Sequence, residues 1–522
     1  MIWILALIST AVAEDISIEP GAETSIQEAI NDATPGDTIT LSAGTYNEDL
    51  STESHGTADA PITLRAAEDA EVIITNSGEV LQIDHSHWII EGIVLDGQYG
   101  NDDTLEIRDG ADHTRLNRVE VRHSGRDCID MDGPEGVRIL NSSIHHCLYF
   151  DEDNDERLDA HGITGGAVQD LRIENTDIHT FSGDGIQFDP GRAAPGWDNI
   201  HIEGCRFWLE PLLEDTAGFS AGQVPGENAI DTKTWNDADE ASLTIVDTEA
   251  WGFKDGIDIS NQAAFLFKEN VEVSIQRVRV HKSEIAFRLR GPTSARPRGA
   301  SVEMENVLVH DVGTALRYED DLVNLSMSHV TFGAGIETMF EEADSEDTSI
   351  GIRNSLFLID TLPEQVSGED HNQAATEEDF VDAIAGDHHL IEGSDAIDAG
   401  SVISGIGTDL DGNDRITGPA PDLGAYEYGE LVQADTGSTD TGSEDDPATG
   451  SDDGAAAEED SASPDAEHDG PSGIGAAEQV GEKGGCGCHT SRNRANATFW
   501  GLLIAATMLR RRWKSSTAQT SA

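Results

Sequence analysis

The chain has 522 residues, and 101 Asp and Glu against 31 Lys and Arg give it a formal net charge of −70. A field this negative excludes nucleic acid and anionic lipid as bulk partners, and it repels polyuronates except where a local cationic island or bound cation reverses the sign. An apolar fraction of 37% with 53 glycines suits a turn-rich, repetitive fold rather than disorder, and 5 cysteines cannot make a disulfide scaffold at this length.

Residues 1–13 open with the apolar run Ile2–Ile8 and end in Ala11-Val12-Ala13, a small-x-small pattern, which predicts a secretory signal despite the absence of an early Lys or Arg. Residues 14–60 carry Ser25-Ile26-Gln27-Glu28-Ala29-Ile30, then Pro35-Gly36-Asp37 and Ala43-Gly44-Thr45-Tyr46. This segment leads into the repeat.

From 61 to 362 the chain repeats. One template, apolar-x-Asn-x-x-apolar, recurs at Leu140/Asn141/Ile144, Ile173/Asn175/Ile178, Met304/Asn306/Val309 and Ile352/Asn354/Phe357. A His often follows it, as at His145, His179, His281 and His310. A second template, short and alternating, appears at Cys128–Met131, Gly185–Phe188, Gly256–Ile259 and Ala286–Leu289. No helical period intervenes, so short strands must coil and stack. Alternate side chains then fill a continuous core, and Asn at one turn in successive coils forms a ladder. The fold class predicted is all-β, a right-handed parallel β-helix (a single-stranded solenoid) with an N-terminal capping helix.

Residues 363–429 end in Asp409-x-Asp411-Gly412-x-x-Arg415 and Asp422-Leu423-Gly424-Ala425-Tyr426-Glu427. The Asp-rich turn could hold Ca²⁺ or simply close on itself by hydrogen bonds. Residues 430–485 hold 16 acidic residues up to Glu482 and read as a disordered linker. Residues 486–522 join Cys486-Gly487-Cys488, an apolar run from Ala497 to Leu509 and Arg510-Arg511-Arg512. That run is short for a transmembrane helix, but its trailing arginines fit the positive-inside rule. These ends predict an exported protein whose body is held outside the cytoplasm on an acidic stalk.

Several of these pieces resemble known families. Residues 14–60 resemble the N-terminal cap of pectin-lyase-like β-helices, which implies an amphipathic helix plugging the open end of the core, and 363–429 resembles the choice-of-anchor Q module. Residues 486–522 resemble the MYXO-CTERM sorting signal, which implies a C-terminal sorting protease and the cell envelope as partners, with the protein anchored at the cell surface or outer membrane or released from it. Three coils, Gly226–Lys233, Ala250–Asp258 and Ile285–Gly291, resemble in order and spacing those of polysaccharide lyase family nine. That resemblance implies a pectate or alginate type of lyase acting by β-elimination, with Asp255 and Asp258 on Ca²⁺, Asn228 where an early ligand Asp stands, and Asp231 beside it. Lys254 replaces one ligand Asp, and Arg288 stands at the base position. The piece Glu227–Lys233 also resembles a coil of the family six lyases, which implies Lys233 as base.

The residues point to an acidic ligand independently. The body, residues 14–429, has net charge −61 and only four lysines: Lys233, Lys254, Lys268 and Lys282. Yet Gln276–Arg298 holds seven bases, including Arg279, Lys282, Arg288 and Arg290, and the single acid Glu284. This stretch predicts a binding site for an acidic polysaccharide, with ion pairing to acidic neighbours as the alternative. Arg288, Lys233 and Lys254 are the candidate catalytic residues; Arg279, Lys282 and Arg290 are candidate substrate contacts. A non-catalytic adhesin is the competing function, and glycoside hydrolysis by Asp184 with Asp189, or Asp255 with Asp258, a third. Asp151-x-Asp153-x-Asp155 reads as a solvated loop, and the histidines as a surface repeat rather than a metal stripe. A monomer is expected. Whether Cys128 and Cys147 pair is left open.

Overall fold

A computed structural model describes residues 13–188, 196–234, 240–343 and 350–429. The predicted signal, the acidic linker and the sorting tail lie outside them, apart from Ala13, as does Asp189. Among the described residues no helix is long and apolar enough to cross a membrane.

The protein is a right-handed parallel β-helix. Strands recur in the same order in each coil, and each pairs in parallel with its counterpart one coil on, building three faces in one 33-stranded system. Sheet one runs from Asp15–Ile18 to Gly351–Arg353, sheet two from Gly44–Asn47 to Gln373–Ala375, and sheet three from Leu50–Ser51 to Ile336–Glu342. The right hand is the sense in which parallel β connections cross.

The inward register explains why these residues coil. On sheet one Leu64, Ile90, Leu116, Ile139, Ile173, Ile202 and Ile245 are paired in succession. On sheet two Ile74, Leu95, Val121, Ile144, Ile178 and Phe207 do the same. All are fully or nearly fully buried in one continuous core. A one-residue slip would turn each row outward, so alternation fixes the register.

The three corners differ. Between sheets one and two the chain turns through one left-handed residue in coil after coil: Asn141, Asn175, Asp247, Arg277, Asn306, His329 and Asn354 all have φ between 49° and 56°. Asn tolerates that conformation best among non-glycines, which is the physical reason for the Asn template. At equivalent turns Asn175 Nδ2 donates to Asn141 Oδ1 at 3.5 Å, and Asn141 Nδ2 donates at 3.1 Å to Asn117 Oδ1, one residue before the corresponding turn, where Arg118 stands. Further along this pairing gives way to another use. Asn306 Nδ2 donates to the Thr408 carbonyl at 2.9 Å and Asn354 Nδ2 to that of Ser401 at 2.7 Å, so these turns dock the C-terminal segment.

The ends are closed. The helix Ile26–Asp32 buries Ile26, Ala29 and Ile30 at the start of the core, and Ser25 with Glu28 forms a reciprocal capping box. At the other end Arg415, 2% exposed, pairs with Glu427 at 3.1 Å, bonds to Asn306 Oδ1 and donates to the carbonyls of Gly424 and Ala425. The Asp-rich turn is hydrogen-bonded: Asp409 accepts from the amides of Asp411, Asn413 and Glu427. The Asp151 carboxylate is likewise turned on its own loop, accepting from the Asp153 and Asn154 amides. Cys128 and Cys147 form a disulfide, both fully buried.

Candidate functional site

The long insertions gather at the corner between sheets two and three. The hairpin Tyr149–Asp151 with Glu156–Leu158 and the excursion 209–229 pack on each other through buried Leu148, Leu212 and Phe219. Arg157 ties them, pairing with Glu227 at 2.6 Å. They wall one edge of sheet three.

Parallel register sets the outer row of that sheet. Asp130, Thr164, Gln187, Asp231, Leu266, Arg288 and Arg317 are paired one after another. The row therefore changes from acidic to basic along the axis. Where it changes, Asp231 is 3% exposed and its Oδ2 lies 2.7 Å from Lys268 Nζ and 3.4 Å from Lys233 Nζ. Lys233 Nζ also donates to Gln187 Oε1. Burial raises the Asp231 pKa, but the Lys268 and Lys233 charges outweigh it and hold the carboxyl below its ordinary value. Asp231 Oδ1 is buried without a hydrogen-bond partner.

Two residues before each strand of sheet three lies a second row, turned inside the corner. His161 Nδ1 is 2.8 Å from Asp127 Oδ1, and its Nε2 faces Asp184 Oδ2 at 3.7 Å. Burial pushes the His161 pKa down, yet Asp127 and then Asp184 overcome it and lift it to about 9. Asp184 is itself raised, first by burial and then by Asp231 and Glu227. It accepts from the Asn228 amide at 3.1 Å and side-chain Nδ2 at 2.7 Å.

The sequence-predicted residues do not all share this face. Lys233, Asp231 and Arg288 lie on the outer side of sheet three, and Arg290 follows there, paired with Glu319 at 2.5 Å. Arg279 lies on sheet two, where it pairs with Asp411 at 2.5 Å. Lys282 is exposed in the turn after it, and Lys254, Asp255 and Asp258 are exposed in the loop entering sheet three. In the cationic stretch Arg277 pairs with Asp247 and Arg298 with Glu240, at 2.6 and 2.8 Å. With Arg279 and Arg290, pairing to acidic neighbours takes at least four of the seven bases. Lys268 and His161 are not among the sequence candidates, and Asp184 is one only as half of a hydrolase pair with Asp189. Lys268 has a signal, being one of four lysines in a strongly acidic body; the contact of His161 with Asp184 has none, since their row follows neither template.

The implied Ca²⁺ ligands do not form one donor set. Asn228 spends Nδ2 on Asp184, and its Oδ1 accepts from the Ala263 amide at 3.0 Å. Asp231 already faces two ammonium groups. Among the described residues no group of three carboxylates or imidazoles includes Asp231, Asp255 or Asp258; the grouped set is Asp102, Asp103 and Glu106, coils away in the acidic part of sheet three.

The repeat histidines belong to an aromatic stack on sheet two. His145, His179, Trp208, Trp251, His281 and His310 follow one another with centroids 4.1 to 5.8 Å apart and planes within 13°. Burial, then neighbouring histidines, lower His179 and His310 to about 3, so the stack is uncharged there at neutral pH. Trp208 and Trp251, at the same repeat position, were the sequence signal for it.

The chain has likenesses to known proteins in sequence and in structure. The sequence model of the Chondroitinase B family matches residues 21–111. The pectate lyase PEL9 of Emericella nidulans is 28% identical over 276 residues, 48% of this chain and 60% of that protein, so the chain spans less than two thirds of that relative. Among solved structures, pectate lyase Pel9A aligns over 80% of this chain and 97% of its own, at 15% identity and a TM-score of 0.45. An alginate lyase from Paenibacillus sp. str. FPU-7 aligns over 65% of this chain and 97% of its own, at 15% identity and a TM-score of 0.40.

Proposed function

We propose that this is an exported β-helix protein that binds an acidic polysaccharide along the outer face of sheet three and cleaves it by β-elimination. The carrying observation is that two of the body's four lysines, Lys233 and Lys268, meet around one buried carboxylate there, in a body of net charge −61. The likeness to PEL9, a pectate lyase, supports the substrate class. The buried disulfide supports export, because such bonds persist in oxidising compartments.

β-Elimination removes the C5 proton beside the uronate carboxylate. The C4–O4 bond breaks, the C4=C5 double bond forms, and the leaving oxygen takes a proton from water. Of the two candidate bases Lys233 has the chemistry, since an amine can give up its proton whereas a guanidinium holds it. Arg288, two coils along the same face, then acts as a fixed cation for the charge that develops. Lys254 on the neighbouring loop is the other neutralising cation of this reading. No step passes through Ca²⁺, because the implied ligands are committed or dispersed.

The test is to incubate the protein with pectate, alginate and glycosaminoglycans, with Ca²⁺ and with chelator, and to follow the ultraviolet absorbance of the unsaturated product. Product from at least one uronate is expected, and Lys233→Met should abolish it. Reducing ends without that absorbance would mean hydrolysis; binding without product would mean an adhesin.

A further inference from the structure

Two parts of the closing segment meet at one imidazole. They are the hairpin Phe380–Asp382 with Asp387–Leu390, and the Asp-rich turn 409–415. His389 Nδ1 is 2.6 Å from Asp387 Oδ1 on its own strand, and its Nε2 is 2.7 Å from Asp411 Oδ2 on the turn. The other Asp411 oxygen accepts from Arg279 on sheet two at 2.5 Å, so neither oxygen of that carboxylate is spare. Tyr426, farther along the segment, packs its ring on the imidazole with centroids 4.0 Å apart. The hairpin has a separate hold on the coils, since the Ala334 amide donates to His388 Nε2 at 3.1 Å.

The two contacts fix the ring's charge by counting. An ionised carboxylate only accepts, and a neutral imidazole carries one N–H. Both contacts are therefore hydrogen bonds only in the imidazolium. Removing a proton turns one ring nitrogen's lone pair on a carboxylate oxygen at hydrogen-bond distance. The side chain is 27% exposed, so water relieves little of that repulsion. The bond to Asp411 raises the His389 pKa, burial opposes it, and Asp387 adds to the rise. Of the other groups at the ring, burial holds His388 below its ordinary value and keeps the Tyr426 hydroxyl protonated. Arg279 and the imidazolium together balance Asp411 and Asp387.

We infer that His389 is a pH-sensitive clasp in the closing segment: as an imidazolium it holds the hairpin to the Asp-rich turn, and as a neutral ring it releases the turn. The clasp is fully closed below the ordinary imidazole value of about 6.5, and it opens as pH rises through the higher value of the closed form. The segment is the last before residues 430–485, so this proton sets how firmly that end of the coil stack is closed. The inference is independent of the uronate reading.

The test is hydrogen exchange of the full-length protein, read by mass spectrometry as protection factors for peptides within 405–428 at pH 5.5 and pH 9. The parent, Asp387→Asn and His389→Gln are compared. With no charge at position 387, a neutral ring keeps its single N–H for Asp411, so Asp387→Asn should stay clasped at pH 9. His161 is common to all three proteins, and its own titration cancels in the comparison. The fall in protection from pH 5.5 to pH 9 should be at least fivefold larger in the parent than in Asp387→Asn, which at pH 9 should be the better protected of the two. His389→Gln should be at least threefold less protected than the parent at pH 5.5. Equal falls in the parent and Asp387→Asn, an Asp387→Asn protein no better protected at pH 9, or a His389→Gln protein that matches the parent at pH 5.5 would each overturn the inference.

Discussion

Reducing the disulfide perturbs the fold at one joint. Cys147 ends a strand of sheet two and Cys128 precedes a strand of sheet three, 19 residues apart in sequence and both fully buried. In the chain-entropy account a closed loop of that size stabilises the folded chain by about 3 kcal/mol at 25 °C. Spread over roughly 400 residues that each contribute about 2.1 cal/mol/K of unfolding entropy, this amounts to a fall of about 4 °C in the melting midpoint if all coils melt together. A solenoid holds each coil only through its neighbours, so melting in sections would make the local fall larger. The assay is thermal unfolding followed by far-ultraviolet circular dichroism, with and without a reductant, free thiols being counted in the unfolded and refolded samples. The Cys128→Ala/Cys147→Ala protein should match the reduced parent. An unchanged midpoint with both thiols shown to be free would refute the reasoning.

Stability should also depend on pH through His161. Its folded pKa of about 9 lies above the unfolded 6.5, so its contribution is full below 6.5 and is lost as pH rises through about 9. Urea midpoints between pH 6 and 10 should fall in the parent and fall less in His161→Gln; equal slopes would count against the buried imidazolium. Arg415→Met leaves Glu427 buried without its partner, which costs about 3–5 kcal/mol. Limited proteolysis should then cut within 363–429 while the coils up to about residue 340 resist; uniform resistance would show that Arg415 does not hold the segment.

The frame was legible because one rule generates it. Alternation every second residue and a left-handed turn once per coil leave marks that any stretch of the repeat carries, as Ile139 to Asn141 and Ile173 to Asn175 show. Function was harder to read because contiguity in sequence is not contiguity in space here. One strand, Val271–Leu289, pairs with strands of all three sheets in a single sweep. A run of bases along it is therefore dealt out to different faces: Arg279 goes to sheet two and a C-terminal Asp, Arg288 and Arg290 to sheet three. The residues that do meet, Asp231 and Lys268, are 37 apart in the chain, and only the register joins them. His161 and Asp184 meet across a coil in the same way.

The unequal corners have a consequence for how such a protein can change. The turn between sheets one and two keeps one left-handed residue in most coils, and where it lengthens, at 67–71, it does so by only three residues. The corner between sheets two and three already carries a hairpin and a long excursion, and neither disturbs the aliphatic rows. Length and chemistry at that corner can therefore be exchanged as a cassette while the frame stays intact. A lineage built on this solenoid could be readdressed from one polymer to another by replacing 149–158 and 209–229 alone, with the charged row of sheet three kept as the invariant half of the groove.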